Sequence, residues 1–147
     1  MQASYFACKL VSSSIIINST MSQHSSRQNI PGTSPYEYVI GFSRAVRIGN
    51  IVHVSGTGPA GAEDLDAAGQ TRYVLALIEK ALSQAGARFE DVVRTRMFIA
   101  NAEDWEEIGR MHGEVFSTIR PAATMVVAAL LNPKWRIEIE AEAVLHL

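Results

Sequence analysis

The sequence predicts an α+β fold, a sandwich in which two helices cover one face of a mixed β-sheet and leave the other face bare. Three observations carry that expectation. Two segments repeat their apolar residues with a helical period of 3.6. Several shorter segments, rich in β-branched residues, read as strands, and the last of them alternates apolar and polar side chains. Each helix lies between strands, and right-handed crossovers place both helices on the same side of the sheet.

Ordered structure is expected from about residue 36, after the loop-forming run Ile30-Pro31-Gly32-Thr33-Ser34-Pro35, with residues 36–40 as a candidate strand. Two apolar runs follow, 42–48 and 51–55, separated by Gly49-Asn50, a pair suited to a two-residue hairpin turn. Gly56, Gly58, Pro59 and Gly61 then break the pattern into a loop. The first helix carries Val74, Leu77, Ile78, Ala81, Leu82 and Ala85 on one stripe, and Gly86 stops it. Residues 92–99 form the next strand, alternating Arg94 and Arg96 with Thr95 and Met97. Asn101 can cap a second helix whose stripe is Trp105, Ile108, Val115, Phe116 and Ile119, and Pro121 helps to end it. Residues 124–131 are almost unbroken apolar, as expected of a strand covered on both faces. Residues 135–147 alternate, with Ile137, Ile139, Ala141 and Ala143 on one side and Glu138, Glu140 and Glu142 on the other.

The first 35 residues differ in character and are expected to be a disordered or extended segment, leaving 36–147 as one domain. All fifteen acidic residues fall from Glu37 onward, and only two of the thirteen basic ones, Lys9 and Arg27, precede it. The run Ile15, Ile16, Ile17 is too short for a membrane span and lacks the basic start of a secretion signal. Translation from Met21 is the expected reading, with a cytoplasmic protein; a mitochondrial presequence is the alternative, though it would want arginines before Arg27.

Composition narrows the function. A net charge of −2 gives no electrostatic reason to bind nucleic acid. One cysteine, Cys8, cannot form an intrachain disulfide, and four scattered histidines make no metal-ligating pattern. No cofactor or metal is expected, and no membrane partner. An uncovered sheet face with apolar residues on it calls for oligomerisation.

Several stretches together resemble the YjgF/RidA family of reactive-intermediate deaminases. They are Gly41-Phe42-Ser43-Arg44-Ala45-Val46, the run 51–56 reading IVHVSG, Gly69-Gln70-Thr71-Arg72, Arg120-Pro121-Ala122, and Ile137-Glu138-Ile139-Glu140-Ala141. The resemblance implies a chorismate-mutase-like fold, a homotrimer whose sheets form a central barrel, and a small-molecule cleft at each subunit interface. It further implies that Glu138 orders the attacking water, that Phe42 supplies the cleft aromatic without the usual tyrosine hydroxyl, and that Ser55 and Gly56 lie beside the pocket. The arginine that grips the substrate carboxylate in imine-hydrolysing members falls two residues after Pro121, and here that residue is Ala123.

Two functions follow from that departure. One is a hydrolase or deaminase of small enamines, imines or carbonyl compounds that lack the usual α-carboxylate, with Glu138 as its catalytic group. The alternative is a non-catalytic trimer binding an uncharged metabolite in a pocket made apolar by Phe42, Ala123 and Met125. Arg44 and Arg96 are candidates to replace the missing guanidinium. His112, on the apolar stripe of the second helix, reads as a hydrogen-bonded core residue more readily than as a general base. The glycines around Gly56 lack the lysine and the helix start of a phosphate loop.

Overall fold

The computed structural model describes residues 26–146; the expectations for Cys8, the isoleucines at 15–17 and Met21 lie outside them. Six strands form one sheet in the order β1-β2-β3-β6-β4-β5. They are β1 (Arg27–Ile30), β2 (Ala45–Ile48), β3 (Ile51–Thr57), β4 (Val92–Ile99), β5 (Ala122–Val127) and β6 (Ile137–Val144). Helix α1 (Ala67–Gln84) connects β3 to β4, and α2 (Trp105–Phe116) connects β4 to β5. The sheet is mixed: β4 and β5 run parallel, and every other neighbouring pair is antiparallel. The last strand, β6, fills the slot between β3 and β4 and runs against both.

Local chemistry explains most of these elements. Ile48 pairs with Ile51 across the two-residue Gly49-Asn50 turn, and Gly49 takes a φ of 60°, which costs glycine little. Asp66 caps α1 by accepting the Gly69 N–H at 2.8 Å. Val74, Leu75, Ile78, Ala81 and Leu82 turn inward from α1 onto the face formed by Val52, Val54, Met97, Ile99, Ile137 and Ile139. Burying each of the larger aliphatic side chains contributes about 1.5–3 kcal/mol. β6 alternates buried and half-buried residues along its whole length, as its sequence predicts.

The structure departs from the sequence expectations at five places. The sheet begins at Arg27, ahead of residue 36, because β1 pairs with β2 and buries Ile30. Residues 36–40 are not a strand: Glu37–Gly41 form one wide helical turn, closed by the Phe42 N–H reaching back to Glu37 O at 3.0 Å. The Glu37 carboxylate holds the turn by accepting the Gly32 N–H at 2.8 Å, a contact that apolar periodicity does not reveal. β5 ends at Val127, short of residue 131, and as the edge strand it leaves most of its residues exposed where cover on both faces was expected. Asn101 makes no side-chain cap on α2. Asp104 stands at its N-cap position, with its own carboxylate committed to Arg136 at 2.6 and 2.8 Å. Finally, Trp105 lies 57% exposed and outside the core that α2 otherwise forms through Ile108, Met111 and Phe116.

The face opposite the helices carries a charged ladder along its middle. Arg96 spans Glu140 at 2.9 Å and Glu142 at 3.0 Å, and Arg94 approaches Glu142 at 3.9 Å. Apolar residues, Ile48, Ile51 and Val126, flank the ladder toward both sides.

Candidate active site

The residues that the resemblance assigned to one cleft wall meet where β3 turns out of the sheet. Val54 pairs with Ala141, but the next pairing is Thr57 with Ile139, so β3 carries one extra residue around Ser55-Gly56. A bulge of this kind twists the strand and re-aims its backbone. Several bonds hold it. Ser55 donates its N–H to Arg44 O at 3.0 Å and its hydroxyl to Ser43 O at 2.7 Å. Thr57 donates its hydroxyl to Ser55 O at 2.8 Å.

Glycine at position 56 serves a different purpose from Gly49: it leaves room for the Glu138 carboxylate. Any Cβ there would fall on a carboxylate oxygen of Glu138, which lies directly over the Gly56 backbone. Glu138 projects from β6 opposite Phe98 and is half-buried. Burial pushes its proton affinity up, the nearby Glu140 carboxylate adds to that, and the Arg44 guanidinium opposes them.

Arg44 leads into β2 and turns back onto the bulge. Its Nη1 donates to Gly56 O at 3.0 Å and to Thr57 Oγ1 at 2.7 Å. Burial lowers its pKa, and the charges of Glu37 and Glu138 act to raise it. Glu37 is itself buried, and Gly32 sits against both its carboxylate and the Arg44 side chain. Phe42, half-buried, links the Glu37 turn to Ser43 and Arg44. Phe42, Ser55, Gly56 and Glu138 are therefore brought to one end of the sheet, with Arg44 among them.

Ala123 is not brought there. It pairs with Thr95 on β5, two strands from β6, and shares its row with the buried Thr95 and Ala141. Glu138 shares its row with Phe98 and Val126, three positions further along β4 and so on the opposite face. Met125 packs against the helix-covered core, so the apolar pocket of Phe42, Ala123 and Met125 is not assembled within one subunit. Two hollows in the described surface lie elsewhere, one beside Lys80 and Arg88 and one between Glu103 and Arg110, and neither includes Glu138.

Of the other candidates, Arg96 is engaged by the ladder. His112 Nε2 lies 2.9 Å from Thr95 Oγ1, and its ring stands 4.5 Å from that of Phe116; burial lowers its pKa. It is a half-buried histidine hydrogen-bonded to the buried Thr95. Sequence reasoning missed Glu37 and Thr57. The one available signal was an acid isolated in the apolar run Tyr36-Glu37-Tyr38-Val39-Ile40. Among the described residues no group of three or more His, Cys, Asp or Glu could hold a metal ion, and no helix is long and apolar enough to cross a membrane.

Comparison with known proteins gives this geometry a family. The model of the family described as Endoribonuclease L-PSP matches residues 34–145. The 3-aminoacrylate deaminase RutC of Acinetobacter baylyi is 36% identical over 104 residues, 67% of this chain and 82% of RutC. An uncharacterized protein of Streptomyces coelicolor is 32% identical over 121 residues, 79% of this chain and 90% of that protein. A Mycobacterium tuberculosis structure, described as a member of the highly conserved YjgF/YER057c/UK114 family, superposes with a TM-score of 0.77 at 45% identity. That match covers 82% of this chain and 100% of the other. The six-stranded mixed sheet with its two helices, the match across residues 34–145 and these relatives agree, and the chain belongs to the YjgF/RidA family.

Proposed function

We propose that the chain is a hydrolase of small enamines, imines or related carbonyl compounds that carry no α-carboxylate, with Glu138 as the catalytic group. The observation that carries this reading is the half-buried Glu138 carboxylate seated on the Gly56 bulge, its proton affinity raised by burial. A carboxylate tuned upward is suited to taking a proton from water near neutral pH and returning it. Water would add to the imine carbon as Glu138 accepts its proton. The nitrogen, protonated in turn, would leave as ammonia or an amine while the carbonyl forms. The relationship to a protein described as a 3-aminoacrylate deaminase supports this class of chemistry.

Loss of the α-carboxylate from the substrate follows from the charges. Position 123 is alanine, Arg96 is paired with Glu140 and Glu142, and Arg44 is tied to the bulge with Glu37 and Glu138 near it. An anion would meet carboxylates at this end of the sheet without a free guanidinium to offset them. A homotrimer completes the cleft in this reading: the β5 edge of a second copy closes over Glu138 and brings Ala123 to it. The test is turnover of small imines generated in situ by the native chain and by Glu138→Ala. Turnover that survives unchanged in Glu138→Ala removes the proposal.

A second reading, a trimer that binds an uncharged metabolite without chemistry, is favoured by the way Arg44 and Thr57 spend their polar groups on the protein itself. A thermal-shift panel of neutral metabolites separates the two, since binding raises stability whether or not anything turns over. Stabilisation without turnover supports the binder; hydrolysis with no stabilising ligand excludes it.

A further inference from the structure

The resemblance gives no role to Arg44, and the sequence offers it only as a stand-in for a missing substrate anchor. The bonds it makes suggest something else. Nη1 reaches the Gly56 carbonyl and the Thr57 hydroxyl together, at 3.0 and 2.7 Å, so one guanidinium nitrogen spans the extra residue of β3. Thr57 is 2% exposed and passes the contact on by donating to Ser55 O at 2.8 Å, while the Ser55 N–H returns to the Arg44 carbonyl at 3.0 Å. The circuit is closed: Arg44 backbone, Ser55, Thr57, Arg44 side chain. Gly56 is held inside it, and Glu138 rests on Gly56.

We infer that Arg44 is a positioning residue, a strut that fixes the Ser55–Thr57 bulge beneath Glu138 and so sets where that carboxylate points. The inference rests on the proposed role of Glu138 but is tested apart from it. The groups that bear on Glu138 are Arg44 at the entrance to β2, which stabilises its anion, and Glu140 on β6 itself, which opposes it. Glu37, in the turn, acts on Arg44 and shares its charge. Deleting the guanidinium removes the cation from this balance and frees the Gly56 carbonyl together.

The test is a carboxyl-detected NMR titration of Glu138, which needs no substrate, in the native chain, Arg44→Gln, Arg44→Lys and Thr57→Val. Arg44→Gln raises the Glu138 midpoint, Arg44→Lys restores most of the difference, and Thr57→Val, which keeps the charge but cuts both bonds that the Thr57 hydroxyl makes in the circuit, broadens or splits the Gly56 amide signal. With turnover as a second readout, Arg44→Gln lowers kcat by about tenfold and leaves KM nearly unchanged, because the strut acts on the catalytic group through the bulge and not on the ligand. An unchanged Glu138 midpoint in Arg44→Gln overturns the inference. If that variant does not fold, an unaltered Gly56 signal in Thr57→Val overturns it instead. A rise in KM alone makes Arg44 a substrate anchor and contradicts the strut. Failure of the hydrolase reading would appear separately, as turnover indifferent to Glu138→Ala with the titration coupling intact.

Discussion

Where β3 meets β6, Ser55, Thr57, Arg44 and the Gly56 carbonyl are tied to one another beneath Glu138, while at the far edge β5 presents Ala122, Ala123, Thr124, Val126 and Val127 to solvent with no strand beyond it. One end of the sheet is held rigid by its own hydrogen bonds, as the proposed proton transfer at Glu138 would require. The other is bare, apolar and, at position 123, short of the charge that would hold an acid. In the proposed hydrolase the contrast separates two tasks: placing the reacting group, which would be done within a single subunit, and choosing the substrate, which would fall to the open edge.

The largest expected effect comes from breaking the organised end without unfolding it. In Gly56→Ala the new methyl displaces the end of a flexible side chain and meets no backbone, so Glu138 can swing away and stability changes little. Turnover should nevertheless fall by about a hundredfold, since a misplacement near 1 Å is enough to do so. Gly58→Ala is the control. Its methyl would fall on the Trp135 ring, and overpacking there costs about 1–3 kcal/mol of stability. Thermal denaturation of both variants beside their kinetics checks the pair.

A smaller effect is expected in the pH dependence of stability. Burial holds the folded-state pKa of Glu138 above its ordinary value near 4.5. The group therefore favours the folded state fully below its unfolded pKa, and that advantage is lost as the pH rises through its raised folded value. Glu138→Gln removes the loss, so the variant should be more stable than the native chain at neutral pH, with the gap closing toward acid. His112 acts in the other direction. Its pKa is lowered by burial, so its contribution is present above the ordinary 6.5 and declines as the pH falls. Urea denaturation from pH 4 to 8 for the native chain, Glu138→Gln and His112→Asn separates the two slopes. The smallest effect belongs to the ladder between the two ends. Arg96→Ala should change stability only slightly, and less at high salt, because the pairs it makes with Glu140 and Glu142 are solvent-exposed. Melting curves at low and high salt check it.

Much of the scaffold was legible in the sequence because short-range rules set it. The α1 stripe, the Gly49-Asn50 turn and the alternation of β6 depend on residues within a turn or a pleat of one another. The turn at Glu37–Gly41 was not legible, since its apolar run looks like a strand and its closure depends on a carboxylate reaching Gly32. The exposure of β5 escaped for a related reason: an apolar run fits a covered strand or an edge awaiting a partner equally well, and only the sheet order distinguishes them. At the site, the resemblance picked out Phe42, Ser55, Gly56 and Glu138, which do gather at one end of the sheet. The part of Arg44 was hidden because it depends on a bulge that shifts the β3 register by one residue, and no pattern in the sequence marks that shift.

The most direct test of the contrast between the two ends is the ratio of kcat/KM for an uncharged imine to that for 2-iminobutanoate, measured for the native chain and for Ala123→Arg. The native chain should favour the uncharged substrate. Ala123→Arg should move the ratio toward the carboxylate by about tenfold or more, as a charge-assisted contact of about 1.5–3 kcal/mol allows. A native chain that hydrolyses 2-iminobutanoate as efficiently as Ala123→Arg would contradict the account, because the bare edge would then not be what chooses the substrate.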